Sequence, residues 1–123
     1  MTRVFLLLVG FIFAAYGLAC ALEPALPARL AGLAIINGDG FAELSAMYGG
    51  LQVGVGLFLL LAAFRPPLQT AALTLLLLGI GLLAALRGIG ILRADDVVSA
   101  YSWGALAFET LVTALAAALL ARR

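Results

Sequence analysis

Three stretches of this chain run for 19 residues or more with no charged residue: 4–22, between Arg3 and Glu23; 44–64, between Glu43 and Arg65; and 66–86, between Arg65 and Arg87. A helix crosses the hydrocarbon of a bilayer with roughly 20 apolar residues. Only structure that satisfies its own backbone hydrogen bonds survives there, which leaves helices and closed barrels. Uninterrupted apolar runs of this length predict helices. Composition points the same way, with 66% hydrophobic and 11% charged residues over 123 positions. Soluble domains average about 45–50% and about 25%, and a domain this small leaves much of its surface in contact with solvent.

The reading is an all-α, polytopic membrane protein: a four-transmembrane-helix bundle in one domain, 1–123. The spans are 4–22, 43–64, 68–92 and 101–120, with an interfacial loop over 23–42. The fourth span is interrupted by Glu109 and rests on the charge-free runs 97–108 and 110–121. Arg65-Pro66-Pro67 separates the second and third spans, because proline lacks an N–H and restricts the residue before it. In the long connection, Leu26, Leu30 and Leu33 fall at helical spacing after Pro24 and suggest a short interfacial helix. Asn37-Gly38-Asp39-Gly40 reads as a turn.

Arg3, Arg65, Arg122 and Arg123 fall on one side of this arrangement, and Arg29 and Arg93 on the other. The positive-inside rule then puts both termini and the Arg65 loop in the cytoplasm; the expected location is the bacterial inner membrane, multi-pass. Met1-Thr2-Arg3, the first apolar run and Ala19-Cys20-Ala21 also resemble a cleavable secretory signal. Against cleavage stands a stripe of small residues, Gly10, Ala14, Gly17 and Ala21, suited to helix packing. A retained first helix is expected.

Several chemistries are excluded by residue type. The chain has no histidine, one cysteine (Cys20), and seven arginines with no lysine against six acids. It therefore lacks the usual neutral-pH base and the commonest metal ligand, and it cannot close an intrachain disulfide. There is no basic stripe for nucleic acid and no phosphate loop. No cofactor is expected. Membrane lipid is the expected partner, with a homo-oligomer or a larger membrane complex as a further possibility.

Helices in lipid associate through close packing rather than hydrophobic drive. Gly50, Gly54 and Gly88 are the expected packing glycines, the first two spaced as Gly-xxx-Gly. In the fourth span Thr110, Ala114, Ala117 and Ala121 form a second small-residue stripe.

An ionisable group within a span costs roughly 2.5–3.5 kcal/mol on insertion scales, so Glu43, Arg87 and Glu109 each need a reason. Counted at 1.5 Å per residue, they lie within about 12 Å of one membrane boundary, together with Tyr48 and Tyr16; Gln52 is deeper. One Arg87 guanidinium shared between Glu109 and Glu43 would satisfy them, since its planar fork donates to two carboxylates. Three readings are open for this set: an ion-pair network fixing helix register, a polar floor for a lipid headgroup or small ligand, or a proton-transfer or catalytic site. Ser45, Ser99 and Ser102 have no base at credible spacing, so no catalytic residue is assigned. The function expected is a non-enzymatic accessory or lipid- or ligand-binding module with an outward polar cluster; the alternative is a membrane redox accessory or enzyme using Glu43, Arg87 and Glu109.

The run Glu43-Leu44-Ser45-Ala46-Met47-Tyr48-Gly49-Gly50-Leu51-Gln52, then Gly54 and a leucine-rich stretch ending Phe64-Arg65-Pro66, resembles a family of small bacterial four-helix membrane proteins. The family is a domain of unknown function, loosely similar to the DoxX-like membrane proteins. The resemblance spans nearly the whole chain and includes an arginine in the third span, here Arg87, and a glutamate in the fourth, here Glu109. It implies the four-helix architecture. DoxX-like proteins are linked with redox and thiol-stress systems; this sequence has no cysteine pair.

Overall fold

A computed structural model describes residues 1–122. Among them there is no strand, and the helices are α1 (Thr2–Leu22), α2 (Ala25–Ala31), α3 (Gly38–Phe64), α4 (Pro66–Arg93) and α5 (Ala100–Leu120). Four of these, α1, α3, α4 and α5, are long and apolar enough to cross a membrane. The chain divides into two compact units, Met1–Pro67 and Leu68–Arg123.

Helix boundaries follow local chemistry. Asn37 is extended, and its side-chain oxygen accepts the Gly40 N–H at 3.0 Å, which satisfies one orphan donor of the first turn. Asp39 adds negative charge beside the same helix N-terminus. The Asn-Gly-Asp-Gly stretch read as a turn is thus the start of α3, and the helix begins five residues earlier than the predicted span. Arg65 breaks the chain at φ −123°, ψ 90°. Pro66 then opens α4, a position where its missing N–H costs nothing. The short helix α2 stops before Leu33, contrary to the leucine spacing. Gly32 takes φ 69°, and the Leu33 N–H turns back to the Ala28 carbonyl at 2.8 Å.

Within the first unit, α1 and α3 run antiparallel in close contact. Along α1 the buried residues are Leu6, Val9, Gly10, Phe13, Gly17 and Cys20, while Val4, Leu8, Phe11, Leu18 and Leu22 on the other side are exposed. Both faces are apolar. What marks the inner face is the glycines Gly10 and Gly17, set between the buried Leu6, Val9 and Phe13. A Cβ on Gly17 would stand 2.6 Å from the Val53 nitrogen and 2.8 Å from the Gln52 Cβ. One on Gly10 would meet the Gly56 carbonyl oxygen and the Leu60 nitrogen, both at 3.0 Å. Gly56 lies against the Ala14 backbone, and a Cβ on Gly49 would come to 3.0 Å from the Ala21 Cα. The backbones therefore approach as only glycine permits. This corrects the packing assignment in α3. Gly49 and Gly56 make the approach, whereas a Cβ on Gly50 or Gly54 would meet no atom of this unit within 4 Å. The first-helix stripe of Gly10, Ala14, Gly17 and Ala21 does face α3.

In the second unit α4 and α5 are antiparallel. Buried positions on α4 are Ala72, Leu73, Leu76, Ile80 and Ala84. Those on α5 are Glu109, Val112, Ala116 and Leu119, spaced three and four apart on one face. The predicted small-residue stripe of α5 is displaced from this face: Thr110, Ala114 and Ala121 are exposed and Ala117 half-buried. The reason is electrostatic. Turning Thr110 and Ala114 inward would turn the Glu109 carboxylate away from its partner on α4. Gly88 faces the Leu106 side chain at an ordinary 3.8 Å, and the tighter approach is at Gly81, where a Cβ would stand 3.1 Å from the Thr113 methyl.

Two helices change pitch partway. Ser45–Gly50 in α3 and Leu76–Ile80 in α4 are π-helical, a geometry that inserts an extra residue per turn and is frequent at functional positions. The first of these contains Met47-Tyr48-Gly49-Gly50, the most distinctive segment of the sequence. Near it, the Ser45 hydroxyl donates to the Phe41 carbonyl at 2.8 Å, which engages a backbone oxygen where the helix changes pitch.

Candidate functional site

Glu109 occupies the N-terminal end of the buried face of α5 and is 5% exposed. Burial of a carboxylate among aliphatic side chains is tolerated only where another group answers its charge and its lone pairs. Arg87, on the facing side of α4, does both. Its Nη2 donates to Glu109 Oε1 at 2.7 Å, and its Nε donates to Oε2 at 2.8 Å and to Oε1 at 3.1 Å. This two-pronged geometry is the strongest arginine–carboxylate arrangement and fixes orientation as well as distance. In the antiparallel pair, residue 87 of α4 and residue 109 of α5 come to the same level, as expected from their depths in the sequence.

A second contact supports the first. One turn beyond Glu109, the Thr113 hydroxyl donates back to the Glu109 carbonyl at 2.8 Å. The Thr113 methyl rests on the space left by Gly81, on the same face of α4 as Ala84. Gly81 lets α5 sit close, Thr113 ties its hydroxyl to the backbone of Glu109, and the carboxylate meets the arginine fork. Neither Gly81 nor Thr113 stood out as part of the site in the sequence. A glycine one and a half turns before an intramembrane arginine was the available signal.

The pair is asymmetric. The Glu109 side chain keeps 7% of its accessible surface and the Arg87 side chain 25%. Both carboxylate oxygens accept from arginine, so the acid is occupied as a base for as long as the pair holds. The arginine side chain is the more accessible member of the pair. Among the described residues no three His, Cys, Asp or Glu side chains gather as metal ligands.

The remaining residues singled out in the sequence lie in the first unit. Glu43 is exposed, in the turn before the π-helical stretch of α3; Tyr48 is half-buried within that stretch. Gln52 is half-buried against the Gly17 backbone. Tyr16, half-buried on α1, hydrogen-bonds Cys20 one turn later. Cys20 itself is fully buried. Thus of the three intramembrane charges, Arg87 and Glu109 meet directly, within one unit.

No curated protein and no solved structure gives a significant match to the chain. A family pattern does, over residues 1–120, and it covers the π-helical Met47-Tyr48-Gly49-Gly50 segment as well as Arg87 and Glu109. The chain belongs to the family described as Domain of unknown function (DUF4345).

Proposed function

We propose that the protein is a multi-pass protein of the bacterial inner membrane that binds an amphiphile, a lipid or a small hydrophobic ligand with an anionic head, and catalyses no reaction on it. The observation that carries this reading is the unequal exposure of the ion pair: a sealed carboxylate holding an arginine that keeps a quarter of its side-chain surface accessible. A partly exposed arginine side chain at membrane depth is costly where it meets hydrocarbon. An anionic headgroup on its open margin would lower that cost, with the ligand's chains lying on exposed apolar residues nearby on α4, such as Leu83 and Leu86. Catalysis is disfavoured because both Glu109 oxygens are engaged and a general base must be able to reach and accept the proton it abstracts. The arginine distribution assigns both termini to the cytoplasm and so turns Arg87 toward the outer half of the membrane.

The test is native mass spectrometry of the full chain released from a gentle detergent. A retained amphiphile is expected on the wild type, and it should be lost from an Arg87→Met/Glu109→Gln double variant that keeps its helices paired. Equal retention by that variant overturns the reading. A retained quinone whose absorbance responds to reductant would support the redox alternative instead.

A further inference from the structure

The first unit holds three arginines in two kinds of surroundings. Arg29 donates to Glu23 at 2.7 Å. Arg3 and Arg65 have no carboxylate partner and no side-chain hydrogen bond among the described residues, and both are exposed. Arg3 lies over the ring of Phe64 instead, 4.6 Å from its centre. Because α1 and α3 are antiparallel, the start of α1 and the end of α3 coincide, and this contact brings Arg3 beside the residue that precedes Arg65. The acids of the unit are all at the opposite end: Glu23 follows α1, while Asp39 and Glu43 lie in the first two turns of α3. A 21-residue helix separates the two ends by about 30 Å. The unit is therefore cationic at one end only, and those cations are unneutralised.

Exposed apolar side chains adjoin them. Val4 follows Arg3 and is 58% exposed; Phe64 and Leu61, on the last turn of α3, are 59% and 49% exposed. Guanidinium groups at the helix ends with apolar surface immediately below reproduce, in complementary charge, the section of a phospholipid: phosphate above, acyl chain below. The aromatic ring under Arg3 engages the face of the guanidinium and leaves its in-plane N–H groups as the natural donors to a phosphate.

We propose that the Arg3–Arg65 end of the α1–α3 pair is a docking surface for anionic phospholipid, the headgroup phosphate held by the two guanidiniums and the acyl chains by Val4, Leu61 and Phe64. The apolar half of the surface selects a lipid over a soluble acid. The proposal rests on residues of the first unit alone and stands whether or not Arg87 binds a ligand.

The experiment titrates the full chain in mild detergent with dioleoyl phosphatidylglycerol or dioleoyl phosphatidylcholine and counts bound lipid by native mass spectrometry. Phosphatidylglycerol should bind in preference. A basic residue near an anionic headgroup contributes enough for about a fivefold change in affinity, so Arg65→Gln should lose about fivefold and Arg3→Gln/Arg65→Gln about twenty-five-fold. Arg65→Gln breaks no side-chain hydrogen bond or ion pair among the described residues, which keeps the test independent of folding. Arg29→Gln, at the acidic end, should bind as the wild type. Undiminished binding by the double variant, or an equal loss in Arg29→Gln, overturns the proposal. So does displacement of the lipid by millimolar inorganic phosphate, which would identify a site for the free anion.

Discussion

The backbone of Gly17 on α1 and that of Val53 on α3 leave no room between them for a methyl group: a Cβ on the glycine would stand 2.6 Å from the Val53 nitrogen. The α1–α3 pair is held by this order of approach at Gly10, Gly17, Gly49 and Gly56. Dispersion between backbones is strong only at contact distance, so the helices are coupled most firmly where their side chains are smallest.

Gly17→Leu and Gly56→Leu should each destabilise the protein by at least the 1–3 kcal/mol typical of overpacking. Gly54→Leu, on the other side of α3, should change stability by less than about 0.5 kcal/mol. Unfolding in detergent, followed by loss of helical circular dichroism, separates the two classes. A Gly54→Leu variant as damaged as Gly17→Leu would show that the α3 face is misassigned.

The second unit has its own close contact, at Gly81. Gly81→Ala should force the Thr113 methyl to move, since the new Cβ would stand 3.1 Å from it. Thr113→Ser removes that methyl and keeps the hydroxyl that donates to the Glu109 carbonyl. Gly81→Ala should therefore be better tolerated in a Thr113→Ser background than alone, by a coupling within the 0.5–3 kcal/mol measured for residues in contact. Additive behaviour of the two changes would mean that the methyl has free space elsewhere.

The orientation carries its own check. With four arginines on one side and two on the other, reporter domains fused after Arg123 and inserted at Arg65 should report cytoplasm, and one inserted at Asp95 the outside. Reversing Arg3 and Arg65 to acidic residues should weaken or invert that pattern. A wild-type C-terminal fusion reporting the outside would refute the assignment.

The four long helices were legible in the sequence because charge-free runs of this length have few other uses, and the Arg87–Glu109 pairing followed from depth and the cost of lone charges. The choice of packing face was harder. In α3 both Gly50–Gly54 and Gly49–Gly56 offer small residues, and the four-residue spacing is the better-known motif. The decisive clue was the partner: Gly10 and Gly17 are seven apart, and a seven-residue spacing on α1 is matched by Gly49 and Gly56. In α5 a stripe of threonine and alanines outweighed one glutamate in the sequence reading, although a buried charge constrains helix rotation more than any alanine does. The start of α3 was misread because Asn-Gly-Asp-Gly favours turns and N-caps alike. The π-helical stretches left no trace in periodicity, since apolar residues surround them on every face.

The fork between Arg87 and Glu109 should show strong non-additivity. Arg87→Met alone leaves a carboxylate buried at 5% exposure, and Glu109→Gln alone leaves a cation that has lost its countercharge. Breaking a buried pair from one side costs roughly 3–5 kcal/mol, because the survivor stays uncompensated. An unpaired glutamic acid can relieve part of its cost by taking up a proton, whereas arginine stays charged. Glu109→Gln should accordingly be the more damaging single change wherever the guanidinium cannot reach water or a headgroup. The Arg87→Met/Glu109→Gln variant has no charge to strand and should recover a large part of the summed loss. The measurement is a double-mutant cycle on unfolding in detergent, repeated with and without added anionic lipid. If the lipid rescues Glu109→Gln and leaves Arg87→Met unchanged, the open margin of Arg87 is where the headgroup binds. If the two losses simply add, with or without lipid, the fork contributes nothing to holding α4 against α5.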